Sequence, residues 1–127
     1  MDEITLYGLR NCDTCKKALA ALEAAGRSVT FVDIRTEADL AAKVPVWLAA
    51  KGPETLVNKR STTWRSLGDD ERGQVETGAA AALLIANPTL IKRPVIEVGP
   101  KVFVGWSRDV SASLGWFFVI CAAASYN

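Results

Sequence analysis

The alternation of hydrophobic and polar positions changes period several times along the chain, and each change marks an element. Ile4-Thr5-Leu6-Tyr7-Gly8 is rich in β-branched and aromatic residues and gives way to Leu9-Arg10-Asn11, a short strand leaving through a loop. From Cys12 to Ala25 the apolar positions Cys15, Leu19, Leu22 and Ala25 recur at helical spacing, with Asn11 as the expected N-cap and Gly26 as the stop. From Ser28 to Ile34 the pattern alternates with period two, predicting a second strand joined to the first by a right-handed βαβ crossover. Glu37 to Lys51 is alanine-rich and helical in pattern. Pro45 fits there as the first residue of a second helical turn, so this stretch reads as one broken helix or two short ones ending at Gly52-Pro53. Leu56 to Leu67 shows no clear period. Asp69-Asp70-Glu71-Arg72 places acids in a first turn, and Ala79 to Ala86 is an apolar helical stretch stopped by Asn87-Pro88. The segments from Pro94 to Val98 and from Lys101 to Gly105 predict a hairpin about Gly99-Pro100. Ser107 is the expected cap of a last helix, and Leu114 to Ala124 is apolar almost throughout.

The order β-α-β, helices, β-β-α is that of a thioredoxin-like (glutaredoxin-like) α/β fold: a mixed sheet flanked by helices, with a helical insertion between the second and third strands. At 127 residues the chain suits one domain, expected over 1–115 with the insertion at about 37–90 and an apolar tail over 116–127. The apolar run near the end is shorter than the roughly 20 residues a spanning helix needs, so no membrane association is expected. Fifteen basic against 14 acidic groups leave a net charge of +1, which gives no reason to expect direct nucleic-acid binding or attraction to anionic lipid. The chain has no histidine, which removes Cys-His and Ser-His-Asp nucleophile activation and every histidine-containing metal site. Three cysteines make no four-cysteine zinc site within one chain and are few for a secreted disulfide scaffold. Met1-Asp2-Glu3 shows no basic, then apolar, leader pattern, and a reducing cytoplasm is the expected compartment.

The chemistry concentrates at Asn11-Cys12-Asp13-Thr14-Cys15-Lys16-Lys17, a C-x-x-C motif where the first strand passes into the first helix. The opening N–H groups of a helix lack intrahelical acceptors and favour negative charge. With Lys16 one turn on, the Cys12 thiol is expected to fall from about 8.5 into the roughly 3.5–7.5 range of such positions, giving a thiolate without any imidazole. Cys15 lies within reach across one turn. It is either the thiol that resolves a mixed disulfide on Cys12 or a small buried hydrophobe, leaving a monothiol scheme completed by glutathione. Trp47, Trp64, Trp106 and Trp116 read as core or rim packing, and Cys121 as a lone buried cysteine.

Three separated stretches resemble the arsenate reductase (ArsC) family, most closely its YffB-like branch. They are Tyr7-Gly8 through Asn11-Cys12-Asp13-Thr14-Cys15-Lys16-Lys17-Ala18, then Leu56 to Leu67, then Leu90-Ile91-Lys92-Arg93-Pro94-Val95 with Val104-Gly105-Trp106-Ser107. The similarity runs over about residues 3 to 115. It implies a thioredoxin-like core, Cys12 as nucleophile, an oxyanion-holding arginine at Arg93 and a cis proline at Pro94 facing the cysteine. It also implies glutathione- or glutaredoxin-coupled reduction of a small oxyanion or a thiol/disulfide substrate, with glutathione as co-substrate and no bound metal or organic cofactor. Arginine suits an anion because its planar fork stays ionised at any working pH. The candidate site is therefore Cys12 and Cys15 for the chemistry, with Arg93, Arg60, Lys16, Asn11 and Pro94 for substrate and anion binding. Of the three oxyanion arginines that the resemblance calls for, two are displaced or absent: Asn58 holds one place, with Arg60 two residues later, and Gly105-Trp106 the other, with Arg108 beyond. That favours a glutathione-dependent thiol or disulfide reductase over arsenate reduction. The alternative is an Spx-type redox-sensing transcription regulator, which shares the family fold and the C-x-x-C and binds the RNA polymerase α-subunit.

Overall fold

The computed structural model describes residues 3–75 and 78–114. The apolar tail over 116–127, with Trp116 and Cys121, lies outside them. The chain runs through β1 (Ile4–Gly8), α1 (Asp13–Ala24), β2 (Val29–Asp33), α2 (Leu40–Lys51), α3 (Pro53–Leu56), α4 (Thr62–Ser66), α5 (Asp69–Gly73) and α6 (Ala80–Ala86). A 3-10 turn (Pro88–Leu90) follows, then β3 (Val95–Val98) and β4 (Lys101–Val104). A last helix, α7, opens at residue 108 and is described to residue 114. The four strands lie in the order β2-β1-β3-β4; β1 is parallel to β2 and antiparallel to β3, which is antiparallel to β4. This is the mixed sheet of a thioredoxin-like fold, with the helical insertion between β2 and β3.

Side chains alternate across β1 and β3 and so feed two cores, one on each face of the sheet. Ile4, Leu6, Ile96 and Val98 pack with Cys15, Ala18 and Leu22 of α1 and Leu114 of α7. Tyr7, Val95, Val102 and Val104 face the insertion, where they meet Val44 and Trp47 of α2 and Leu83 and Leu84 of α6. Burial on both faces explains why β1 reads as a nearly continuous apolar run. Edge strand β2 is half-buried along most of its length, so its expected alternation of inside and outside positions is blurred.

Helix ends follow the local chemistry in most places and depart from it in two. Gly26, at φ 80°, ends α1 with the N–H of Gly26 on the Glu23 carbonyl (3.0 Å) and that of Arg27 on Leu22 (3.1 Å), a paired arrangement that needs a left-handed residue. Ser107 Oγ accepts from the Val110 N–H at 3.2 Å, as its expected capping role requires. At the start of α1, however, the N-cap is Cys12 rather than Asn11, because the backbone remains extended through Cys12 (φ −94°, ψ 119°) and turns helical at Asp13. Pro45 starts no new helix. It sits inside a continuous α2 whose N-cap Asp39 accepts from the Ala42 N–H at 3.3 Å. An interior proline costs about 3 kcal/mol, but α2 buries Leu40, Val44 and Trp47, each contributing about 1.5–3 kcal/mol. Packing therefore outweighs the local break.

One carboxylate ties α2 to the sheet. Glu97 of β3 accepts from Tyr7 Oη (2.9 Å), from Lys43 Nζ (3.1 and 3.3 Å) and from Trp47 Nε1 (3.1 Å). The Tyr7 and Trp47 rings meet edge to face at 4.9 Å. Burial, with Glu97 beside it, pushes the Tyr7 hydroxyl above its usual range. The hydrogen bond to Glu97 holds Lys43 protonated to higher pH than usual.

Candidate active site

Cys12 stands where β1 ends and α1 begins, held by its own N–H on the Leu9 carbonyl at 3.1 Å. No side chain caps this helix, so its opening amides are left for a charge at the Cys12 sulfur. Partial burial opposes ionisation, but the N–H and thiol of Cys15 and the guanidinium of Arg93 act as donors to the sulfur and outweigh it, so the Cys12 thiol lies below its usual range. Cys12 is half-buried and so remains reachable.

Cys15 is its opposite. The residue is 0 % exposed, in the apolar core between α1 and the sheet. Burial above all, then the neighbouring Cys12, raises its thiol to about 11, against a lowering hydrogen bond from the Leu9 backbone. Gly8 makes the space: a β-carbon there would stand 2.5 Å from Cys15 Sγ. Gly8 is a site residue that sequence reasoning placed only at a strand end.

Arg93 precedes Pro94 through a cis peptide bond. Its Nη1 donates to the Thr89 carbonyl at 3.3 Å, while its buried Nε meets no acceptor among the described residues. Arg93 also lines a hollow of about 320 Å³ together with Thr14, Asn58, Lys92 and the segment 104–107, which contains Trp106. The Val57–Ile91 bridge, with Asn58 N–H on Leu90 and Lys92 N–H on Leu56, both at 2.7 Å, brings Asn58 beside Lys92. Gly105 has φ 81°, and a β-carbon on it would come within 3.2 Å of the Lys92 stem, so glycine both makes this turn and clears the lysine's path. The N–H of Gly105 bonds the Pro94 carbonyl at 2.7 Å, closing β4 onto the proline.

The remaining expected residues are less central. Lys16 is exposed on the outer face of α1 and is not among the groups acting on Cys12. Asn11 is exposed and caps nothing. Arg60 lines a second hollow, of about 500 Å³, with Lys59 and Glu54; only Asn58 and Lys92 line both. Asn58 Oδ1 accepts from the Arg60 N–H at 3.1 Å in a local turn, which fixes the backbone of that loop. Sequence reasoning passed over Lys92, Thr14 and Trp106 as site residues. Lys92 had a signal, its place directly before Arg93, while the other two are gathered by the fold.

The ArsC family model matches residues 7–113. An uncharacterized protein of Haemophilus influenzae is 38 % identical over 105 residues, 83 % of this chain and 92 % of that protein. Among solved structures, a YFFB protein superimposes with a TM-score of 0.78 at 33 % identity, covering 87 % of this chain and 96 % of that one. An arsenate reductase (ArsC) related protein from Brucella melitensis gives 0.70 at 37 % identity, covering 87 % and 92 %. The family match spans the cysteine motif, the insertion and the Arg93-Pro94 segment together, and the chain belongs to the ArsC family.

Proposed function

We propose that the protein is a glutathione-dependent thiol-disulfide reductase that uses Cys12 as its nucleophile. The observation that carries this reading is a partly exposed, acid-shifted thiol that shares the Arg93 guanidinium with an adjoining hollow. In this scheme the Cys12 thiolate attacks the glutathionyl sulfur of a mixed disulfide. The Cys12–sulfur bond forms as the old S–S bond breaks, and the departing thiolate takes a proton from water. A free glutathione thiolate then attacks the glutathionyl sulfur on Cys12, releasing oxidised glutathione and restoring the Cys12 thiolate. The net change converts one mixed disulfide and one glutathione into one thiol and one oxidised glutathione. Arg93 and Lys92 supply positive charge for a glutathionyl carboxylate, and Trp106 an apolar wall for its stem.

Arsenate is the weaker substrate in this reading, because Arg60 lines the other hollow and Arg93 is the arginine that acts on Cys12. The test is turnover of a glutathionyl mixed disulfide with glutathione, coupled to reduction of the oxidised glutathione formed. Wild type turns over and Cys12→Ser does not. Retained turnover in Cys12→Ser overturns the proposal, and arsenate reduction as fast as disulfide reduction overturns the substrate assignment.

A further inference from the structure

We infer that the hollow lined by Lys59 and Arg60 holds the leaving half of the mixed disulfide, and that it selects protein substrates with an acidic side chain next to the disulfide cysteine. This rests on the proposed glutathionyl chemistry at Cys12 and adds the class of thiol released.

A mixed disulfide has two halves, and the site has two adjoining hollows. The smaller, with Arg93, Trp106 and Thr14 from the first turn of α1, takes the glutathionyl half in the proposed scheme. The larger, of about 500 Å³, continues from it across Asn58 and Lys92, which line both. That volume falls in the range of ligand pockets, about 300–1,000 Å³, and leaves room for a short stretch of peptide.

The charge of the larger hollow is one-sided. Lys59, Arg60 and Lys92 line it against the carboxylate of Glu54, and among the described residues none of these three cations makes an ion pair. The stretches 55–68 and 77–96, which supply the cations, contain no aspartate or glutamate, although the whole chain carries 15 basic against 14 acidic groups. The loop that presents Lys59 and Arg60 is tied down. Asn58 Oδ1 accepts from the Arg60 N–H at 3.1 Å, and the Asn58 carbonyl accepts from Ser61 Oγ at 2.8 Å. Ser61 Oγ in turn accepts from the Trp64 N–H at 3.1 Å, and Lys59 Nζ stands 5.6 Å from the centre of the Trp64 ring, within cation–π range. A backbone held in this way offers its cations to an incoming carboxylate with less ordering left to do. In turnover the Cys12–sulfur bond to the glutathionyl group forms as the S–S bond breaks, and the protein thiolate leaves and takes a proton from water. The acidic neighbour contributes to binding alone and exchanges neither electrons nor protons.

The experiment uses the full chain and short peptides glutathionylated on a single cysteine, identical except for aspartate, asparagine or lysine beside that cysteine. With glutathione as reductant, kcat/KM should be about two- to fivefold higher for aspartate than for asparagine, and lowest for lysine, the size expected of exposed ion pairs. Raising the ionic strength from about 0.1 M to about 1 M shortens the screening length from about 10 Å to about 3 Å and should shrink this preference. Lys59→Gln together with Arg60→Gln should erase it, and Lys59→Glu together with Arg60→Glu should reverse it. Each result is a ratio between peptides within one preparation, so any loss of folded protein cancels. Equal rates for the three peptides in wild type, or an unaltered ratio in both double variants, overturns the inference. The glutathionyl disulfide of mercaptopropionate should turn over more slowly than the aspartyl peptide, and an equal rate overturns the peptide assignment. Absence of turnover with every glutathionyl disulfide, or turnover retained in Cys12→Ser, overturns the proposed function instead.

Discussion

Gly8 and Cys15 are matched by shape: the sulfur occupies the place a side chain on Gly8 would need, with 2.5 Å between Sγ and the position of the missing β-carbon. Gly8→Ala therefore forces either β1 or the first turn of α1 to move. We expect it to destabilise the protein by about 1–3 kcal/mol in urea unfolding, the usual cost of overpacking. Gly8→Ala combined with Cys15→Ala should recover part of that loss, since the clashing atom is gone. Simple additivity of the two changes would show that the contact does not control the packing.

Arg93 acts on Cys12 through both charge and hydrogen bonding. Arg93→Ala should raise the pH midpoint of Cys12 alkylation and raise KM for a glutathionyl substrate several-fold. Arg93→Lys should restore part of the midpoint through its charge but less of KM, because an ammonium lacks the planar fork. Equal behaviour of the two variants would remove the charge role, and full restoration of both readouts by lysine would remove the role of the planar fork.

Lys92 and Arg60 separate the two hollows. Lys92 lines both, whereas Arg60 lines only the one without Arg93. Lys92→Ala should raise KM for glutathionyl substrates by more than Arg60→Ala does, at unchanged kcat. The reverse order in steady-state kinetics would move the binding site toward Arg60.

The two cysteines also give stability opposite dependences on pH. The Cys15 thiol is raised in the folded state from an ordinary 9.0 to about 11, so it favours folding fully below 9 and loses that contribution as pH rises toward 11. The Cys12 thiol is lowered, so its contribution is present above the ordinary thiol range and is lost as pH falls through its folded value. Tyr7, also raised, loses its contribution at alkaline pH as well. Urea midpoints between pH 8 and 11 should therefore fall more steeply for wild type than for Cys15→Ala, and parallel curves would contradict the assignment.

Glu97 is the shared acceptor for Tyr7, Lys43 and Trp47. Glu97→Ala strands three donors and should cost about 1.5–3 kcal/mol in urea unfolding. Glu97→Gln, which keeps an acceptor oxygen, should cost less.

The sequence by itself determined the order of the strands and longer helices, the hairpin at Gly99-Pro100, the stop at Gly26 and the C-x-x-C at a helix start, because periodicity, turn chemistry and capping depend on neighbours along the chain, whereas the short helices α3 and α4 are too brief to show a period. Its errors fell where a longer-range effect wins. Burial of Val44 and Trp47 carries α2 through Pro45, and the extended backbone at Cys12 moves the cap off Asn11. The tertiary structure alone decided which groups meet at the site. Lys92 and Asn58 lie 34 positions apart and are joined by a bridge between Val57 and Ile91, while Arg93 reaches Cys12 across the sheet's end. The sequence also left Cys15 open between a resolving thiol and a buried one. Its burial is decided by the fold: Gly8 clears the space for its sulfur, and Leu6, Ile96 and Leu114 join the same core cluster from distant parts of the chain.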